Sequence, residues 1–133
     1  MRRTKKNHAG FTLIELMIVI TIILILLGMA AGRYDRSVLK ARETTLHHDL
    51  GVLRQAIENY TLDKEAAPQS IEDLQTAGYL REIPVDPITQ SREWDPKFGN
   101  TVLSADQVTG GMEDVHSKST NISPLEGTAY NTW

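Results

Sequence analysis

Residues Gly10–Gly32 read "GFTLIELMIVITIILILLGMAAG", in which a single carboxylate, Glu15, stands near the front of an otherwise uncharged apolar run. From Phe11 to Ala31 the run is 21 residues long, and about 20 apolar residues in a helix cross the ~30 Å hydrocarbon core of a bilayer. Ahead of it, "MRRTKK" places positive charge on the flank that stays cytoplasmic. A secretory signal would have a shorter core, ~7–15 residues, although "GMAAG" offers the small residues of a cleavage site. A plain single-pass anchor accounts for the length but not for Glu15. A charge at the centre of a bilayer helix costs roughly 2.5–3.5 kcal/mol on insertion scales, and one that persists there has a partner as a rule.

Working outward, the chain changes character after Gly32. The 133 residues suffice for one small domain, and residues 33–133 are polar and rich in Asp, Glu, Asn, Ser and Thr. Net charge is −3, from 14 basic and 17 acidic side chains; without Arg2, Arg3, Lys5 and Lys6 it is −7. An acidic remainder argues against nucleic-acid binding. The absence of cysteine excludes disulfides, thiolate chemistry and Cys-based metal sites.

No proline interrupts the chain from Arg33 to about Lys64. Leu39, Leu46, Leu50, Leu53, Ile57 and Tyr60 recur at spacings of 7, 4, 3, 4 and 3, one apolar stripe on a helix. Arg36, Lys40, Arg42, Glu43, Asp49, Arg54 and Glu58 are expected mostly on other faces. Helix from Phe11 to Lys64 would extend ~80 Å at 1.5 Å per residue, with its second half covered by a small domain. Gly28 and Gly32 form a G-x-x-x-G pair, read either as a close-packing motif or as two residues that loosen the helix, each costing about 1 kcal/mol relative to Ala. His47 and His48 are adjacent, point to different faces and cannot form an i,i+4 metal pair; they read as solvated surface.

Pro68 stops the long helix. "SIEDLQTAGYL" then predicts a short second helix, with Ser70 as N-cap, Asp73 as its capping-box partner and Gly78 just past the end. "REIPVDPITQSREWDP" carries prolines at 84, 87 and 96, which exclude helix and central strand and predict an ordered loop. "NTVLSA", "EDVHS" and "TAYNTW" are candidate strands. The predicted class is α+β: a long N-terminal helix packed on a small region with a short helix and a small antiparallel sheet.

Two motifs carry a family resemblance. "KKNHAGFTLIELMIVI" (Lys5–Ile20) resembles the class III signal of type IV pilins and type II secretion pseudopilins, a basic leader ending in Gly and followed by Phe-Thr-Leu-Ile-Glu and an apolar helix; Gly10, Phe11, Thr12, Leu13 and Glu15 all fall in place. "APQSIEDLQTAGYLREIPVDPIT" (Ala67–Thr89) is similar to the same region of the major pseudopilins. The resemblance implies a pilin fold with a leader over residues 1–10, a transmembrane and filament-core helix over 11–32, its amphipathic continuation over 33–66 and a small periplasmic or extracellular region over 67–133. It implies that prepilin peptidase cuts between Gly10 and Phe11 and methylates the new amine of Phe11. Glu15 would then meet the N-terminal amine of a neighbouring subunit as a homo-oligomeric helical filament grows. The implied partners are minor pseudopilins, an inner-membrane assembly platform and its ATPase. The implied work is a piston-like push on folded proteins toward an outer-membrane pore, with no nucleic acid involved.

The chain also departs from the family pattern. Relatives carry a late loop with several aspartates that binds calcium; here "VHSKSTNISPLEGTAYNTW" has Glu126 as its one acid, with Glu113 and Asp114 just upstream. Calcium takes six to eight oxygens, so Asp114 and Glu126 are weak calcium candidates and no cofactor is expected otherwise. Tyr130 and Trp133 would anchor that segment. No G-x-S-x-G, phosphate loop or H-E-x-x-H occurs, so no catalytic residue is expected, and Glu113, Asp114 and His116 read as a solvated edge. Two other functions stay open: a subunit of a true type IV pilus for adhesion, motility or DNA uptake, and a membrane-anchored periplasmic module that never assembles.

Overall fold

The structure, a computed structural model, describes residues 10–100 and 110–133. Five elements follow in order: helix α1 (Leu13–Lys64), helix α2 (Ile71–Thr76), strands β1 (Trp94–Phe98) and β2 (Met112–Ser117), and a 3-10 turn (Tyr130–Thr132). The class is α+β, as the sequence predicts. The chain divides into one unit ending at Val38 and a second running Leu39–Trp133.

Helix α1 is 52 residues long. Thr12 caps its start, its Oγ1 accepting the Glu15 N–H at 3.3 Å. Thr21 would be an unpaired hydroxyl in an apolar run, but it donates back to the Met17 carbonyl at 2.7 Å, the usual solution for threonine inside a helix. The helix ends where Glu65 turns left-handed at φ 50°, three residues before Pro68, which cannot continue it.

In the second unit the apolar stripe of α1 is the floor of the core. Leu46, Leu50, Leu53, Ala56 and Ile57 are buried against Ile71 and Leu74 of α2, Leu80, Trp94, Met112, Val115 and Tyr130. Helix α2 is short but doubly capped: Ser70 accepts from the Asp73 N–H at 3.2 Å and Asp73 Oδ2 accepts from the Ser70 N–H at 3.0 Å. Gly78 follows at φ 85°, a left-handed position that suits glycine.

Strands β1 and β2 pair antiparallel, Trp94 opposite Ser117 and Phe98 opposite Met112, with an irregularity between Lys97 and Phe98. The extra residue is Glu113, and this bulge lets both Met112 and Val115 turn inward although three positions separate them. Two expectations are corrected here. The loop predicted through Pro96 gives way to strand at Trp94; Pro96 is tolerated because each strand of a two-stranded sheet has a free edge. "TAYNTW" is not a strand: Ala129 makes a single bridge to Ile122 and the chain then closes into the 3-10 turn. "EDVHS" does form β2, while "NTVLSA" from Thr101 onward and leader residues 1–9 lie outside the described residues.

Candidate assembly face and carboxylate anchors

The first unit presents its apolar side chains outward. Phe11 is 80 % exposed and every large side chain from Leu13 to Leu27 is open. A helix of this length and composition is able to cross a membrane. Glu15 sits one turn inside its start, and among the described residues its carboxylate takes part in no ion pair. Gly10 and Phe11 precede the first helical turn, so the peptide bond between them lies in extended, exposed chain. Gly28 and Gly32 are helical, and a methyl group added at either would touch nothing. Their smallness is not required within one copy and leaves two notches on an exposed helix.

The second unit is held to α1 by charged side chains as well as by its core. Glu43 is buried, 4 % exposed, contrary to the expectation that it faces away. The seven-residue gap between Leu39 and Leu46 in the stripe is the position Glu43 fills. One oxygen of its carboxylate accepts two hydroxyls from the C-terminal loop, Ser123 Oγ at 2.7 Å and Tyr130 OH at 2.8 Å. Ser123 in turn accepts the N–H groups of Leu125 and Glu126 at 3.2 and 2.9 Å. Burial, followed by the bond to Glu43, pushes the Tyr130 phenol up to about 12.

Arg54, three turns further on, reaches the same segment. Its Nε donates to Asp114 Oδ1 at 2.6 Å, and one terminal nitrogen donates to the backbone oxygens of Trp133 at 2.7 Å and Val115 at 3.3 Å. Asp114 also lies 3.2 Å from His116 Nε2, whose Nδ1 is 2.8 Å from the Asn131 carbonyl. Glu126 is elsewhere, 3.3 Å from His47 Nε2. His47 stacks on Trp133 with ring centroids 4.2 Å apart, so it is a packing residue and not simply solvated. Asp114 and Glu126 therefore face separate basic partners. Among the described residues no three His, Cys, Asp or Glu side chains converge on one point, a donor set that does not fit calcium.

Asp86 anchors the proline-rich loop. Fully buried, it accepts Ser117 Oγ at 2.5 Å and the Ile88 N–H at 2.7 Å, while Trp94 donates its indole N–H to the Pro84 carbonyl at 3.0 Å.

Partial burial works to raise the Asp114 carboxyl. The hydrogen bonds from Arg54 and the Val115 N–H, with the charges of Arg54 and His116, outweigh it and hold the group below the usual carboxylate range. A carboxyl that releases its proton more readily when folded stabilises the fold above the ordinary aspartate value, and that stabilisation is lost as pH falls through the lowered one. An Asp114→Asn variant should therefore lose less stability than the parent on acidification below about pH 4. Its side chain is 40 % exposed, so screening keeps the difference under about 1 kcal/mol. Thermal unfolding across acid pH measures it, and identical profiles would remove Asp114 from the anchor.

Comparison with known proteins returns to the same regions. Residues 5–31 match the family described as the prokaryotic N-terminal methylation motif. The type II secretion system core protein G of Escherichia coli K12 is 32 % identical over 103 residues, 65 % of this chain and 70 % of that protein. The type IV major fimbrial protein FimA of Dichelobacter nodosus is 40 % identical over 63 residues, 47 % of this chain and only 40 % of that protein. The competence protein ComGC of Halalkalibacterium halodurans is 30 % identical over 80 residues, 60 % of this chain and 78 % of that protein. No solved structure matches the chain.

Proposed function

The chain belongs to the type IV pilin-like family, and from that premise we propose that it is the structural subunit of a type II secretion pseudopilus. The observation that carries the reading is Glu15, a carboxylate one turn inside a fully exposed apolar helix and four residues from Phe11. Hydrolysis of the Gly10–Phe11 bond by prepilin peptidase frees an amine at Phe11, which then takes one methyl group and stays cationic. A buried carboxylate is tolerated when an opposite charge and good hydrogen bonds compensate it, and the amine of the adjacent copy supplies that charge. A copy seated one step out of register leaves a charge unpaired in an apolar bundle. The leader over 1–10 is lost. The helix over 11–32 waits in the inner membrane with the C-terminal region in the periplasm, and later becomes the filament core. Gly28 and Gly32 give that core close approach or local freedom.

The work is mechanical, with no catalytic residue assigned. Minor pseudopilins, a membrane platform and an assembly ATPase would be its partners. The similarity to FimA and ComGC favours a second reading, a subunit of a true type IV pilus. Intact mass of the membrane-extracted protein tests the family mechanism: the expected species lacks residues 1–10 and carries one added methyl, whereas a chain beginning at Ala30 or Ala31 would mean ordinary signal cleavage. Deletion of the gene separates the two filaments. Folded exoproteins trapped in the periplasm are the expected result; loss of adhesion, motility or DNA uptake with normal secretion would favour the pilus.

A further inference from the structure

The ten residues that follow the apolar run, "RYDRSVLKAR" (Arg33–Arg42), hold four cations and one acid, a net +3. From Glu43 to Trp133 six basic residues face fifteen acidic ones, a net −9. Arg33, Arg36, Lys40 and Arg42 all lie on α1, all are exposed, and among the described residues none enters an ion pair. Their position is unusual. Lysine and arginine next to a membrane span collect on the cytoplasmic flank, and that flank is already the N-terminal one. Four cations on the exported flank work against translocation, so their presence calls for a role after export.

The acidic complement is at hand but out of reach within one copy. Glu58, Glu65 and Glu72 are exposed and, among the described residues, free of ion pairs. Lys40 and Glu58 share one helix and are 18 residues apart, about 27 Å at 1.5 Å per residue, well beyond a Debye length of about 8–10 Å. A second copy displaced along the helix axis removes that separation. The contact between Glu15 and the neighbour's Phe11 shifts successive parallel copies by four residues, about 6 Å, so copies several steps apart are offset by the required tens of ångströms.

We propose that Arg33, Arg36, Lys40 and Arg42 form a basic collar that docks on the acidic surface around Glu58 and Glu65 of a second copy further along the filament. The inference rests on the filament reading above and adds a second, electrostatic contact to the one at Glu15. A wet, exposed charge contact of this kind selects the partner and its height more than it adds affinity.

The test uses the full-length, processed protein. The Arg36→Glu/Lys40→Glu variant should insert and be cleaved normally yet give roughly tenfold less sedimentable filament. Adding Glu58→Lys/Glu65→Lys to the same chain should restore assembly. Because the chain has no cysteine, Arg42→Cys with Glu58→Cys should give inter-copy disulfides on oxidation without background. Filaments of normal yield from the collar variant would overturn the proposal, including when its binding to vesicles of anionic phospholipid falls, which would assign the collar to lipid headgroups. Absence of filaments from the parent protein would overturn the filament reading itself, a separate result.

Discussion

Filaments should vanish when Glu15 is replaced by alanine, while membrane insertion and removal of residues 1–10 continue. The alanine variant is more apolar than the parent over its span, so insertion is easier by roughly the 2.5–3.5 kcal/mol that a central carboxylate costs. Assembly fails for a different reason. Each growing step would bury a methylated, cationic Phe11 amine against an alanine in an apolar bundle, and removing one partner of a buried pair costs about 3–5 kcal/mol. That exceeds a hundredfold per association step, and the loss recurs at every subunit added. Electron microscopy of sheared filaments with immunoblotting of membranes reads both halves of the expectation. Glu15→Asp should fall between the two, keeping the charge but shortening the reach. Normal filaments from the alanine variant would leave a membrane-anchored module as the better account.

Replacing Glu43 by alanine should cost the second unit about 2–5 kcal/mol, because two buried hydroxyls lose their acceptor together and each unsatisfied group costs about 1–3 kcal/mol. Ser123 and Tyr130 both donate to the same carboxylate oxygen, so no rotation of either side chain supplies a substitute within the core. Glu43→Gln keeps an acceptor and should lose less. A Tyr130→Phe change made on the alanine background should cost little more than alanine alone, whereas on the native background it removes a bond to a charged group, about 1.5–3 kcal/mol. Denaturant unfolding of the detergent-solubilised chain, followed by tryptophan fluorescence, measures the cycle. Additive effects would show that Glu43 and Tyr130 act independently.

How far the sequence spoke depended on whether a signal was local. Helix α1 was legible because period and length agreed over many turns, and α2 because Ser70, Asp73 and Gly78 mark both its ends. Glu15 was legible as an anomaly, a charge where none belongs. Glu43 was hidden by the same logic. A carboxylate on an amphipathic helix is ordinarily solvated, and only its hydroxyl donors, 80 and 87 residues away, make the buried position tolerable. The gap of seven in the leucine stripe was the one available hint. Strand β1 was masked by Pro96, whose prohibition applies to central strands and lapses at a free edge. The final turn was obscured because Tyr130 and Trp133 suit strands equally well, and it is set by contacts with α1 and His47 that neighbouring residues do not announce. Asp86 was readable as loop architecture from its prolines, although the reach to Ser117 was not.

The paired anchors at Glu43 and Arg54 have a mechanical corollary. They are 11 residues apart on one helix, about 16 Å, and both grip the segment that closes the chain, Glu43 through Ser123 and Tyr130 and Arg54 through Asp114 and Trp133. An axial pull on the helix thus loads two rivets at once in shear, where peeling from one end would have broken them in sequence. A subunit built to transmit thrust along its long axis is stiffest in the direction in which it is pushed.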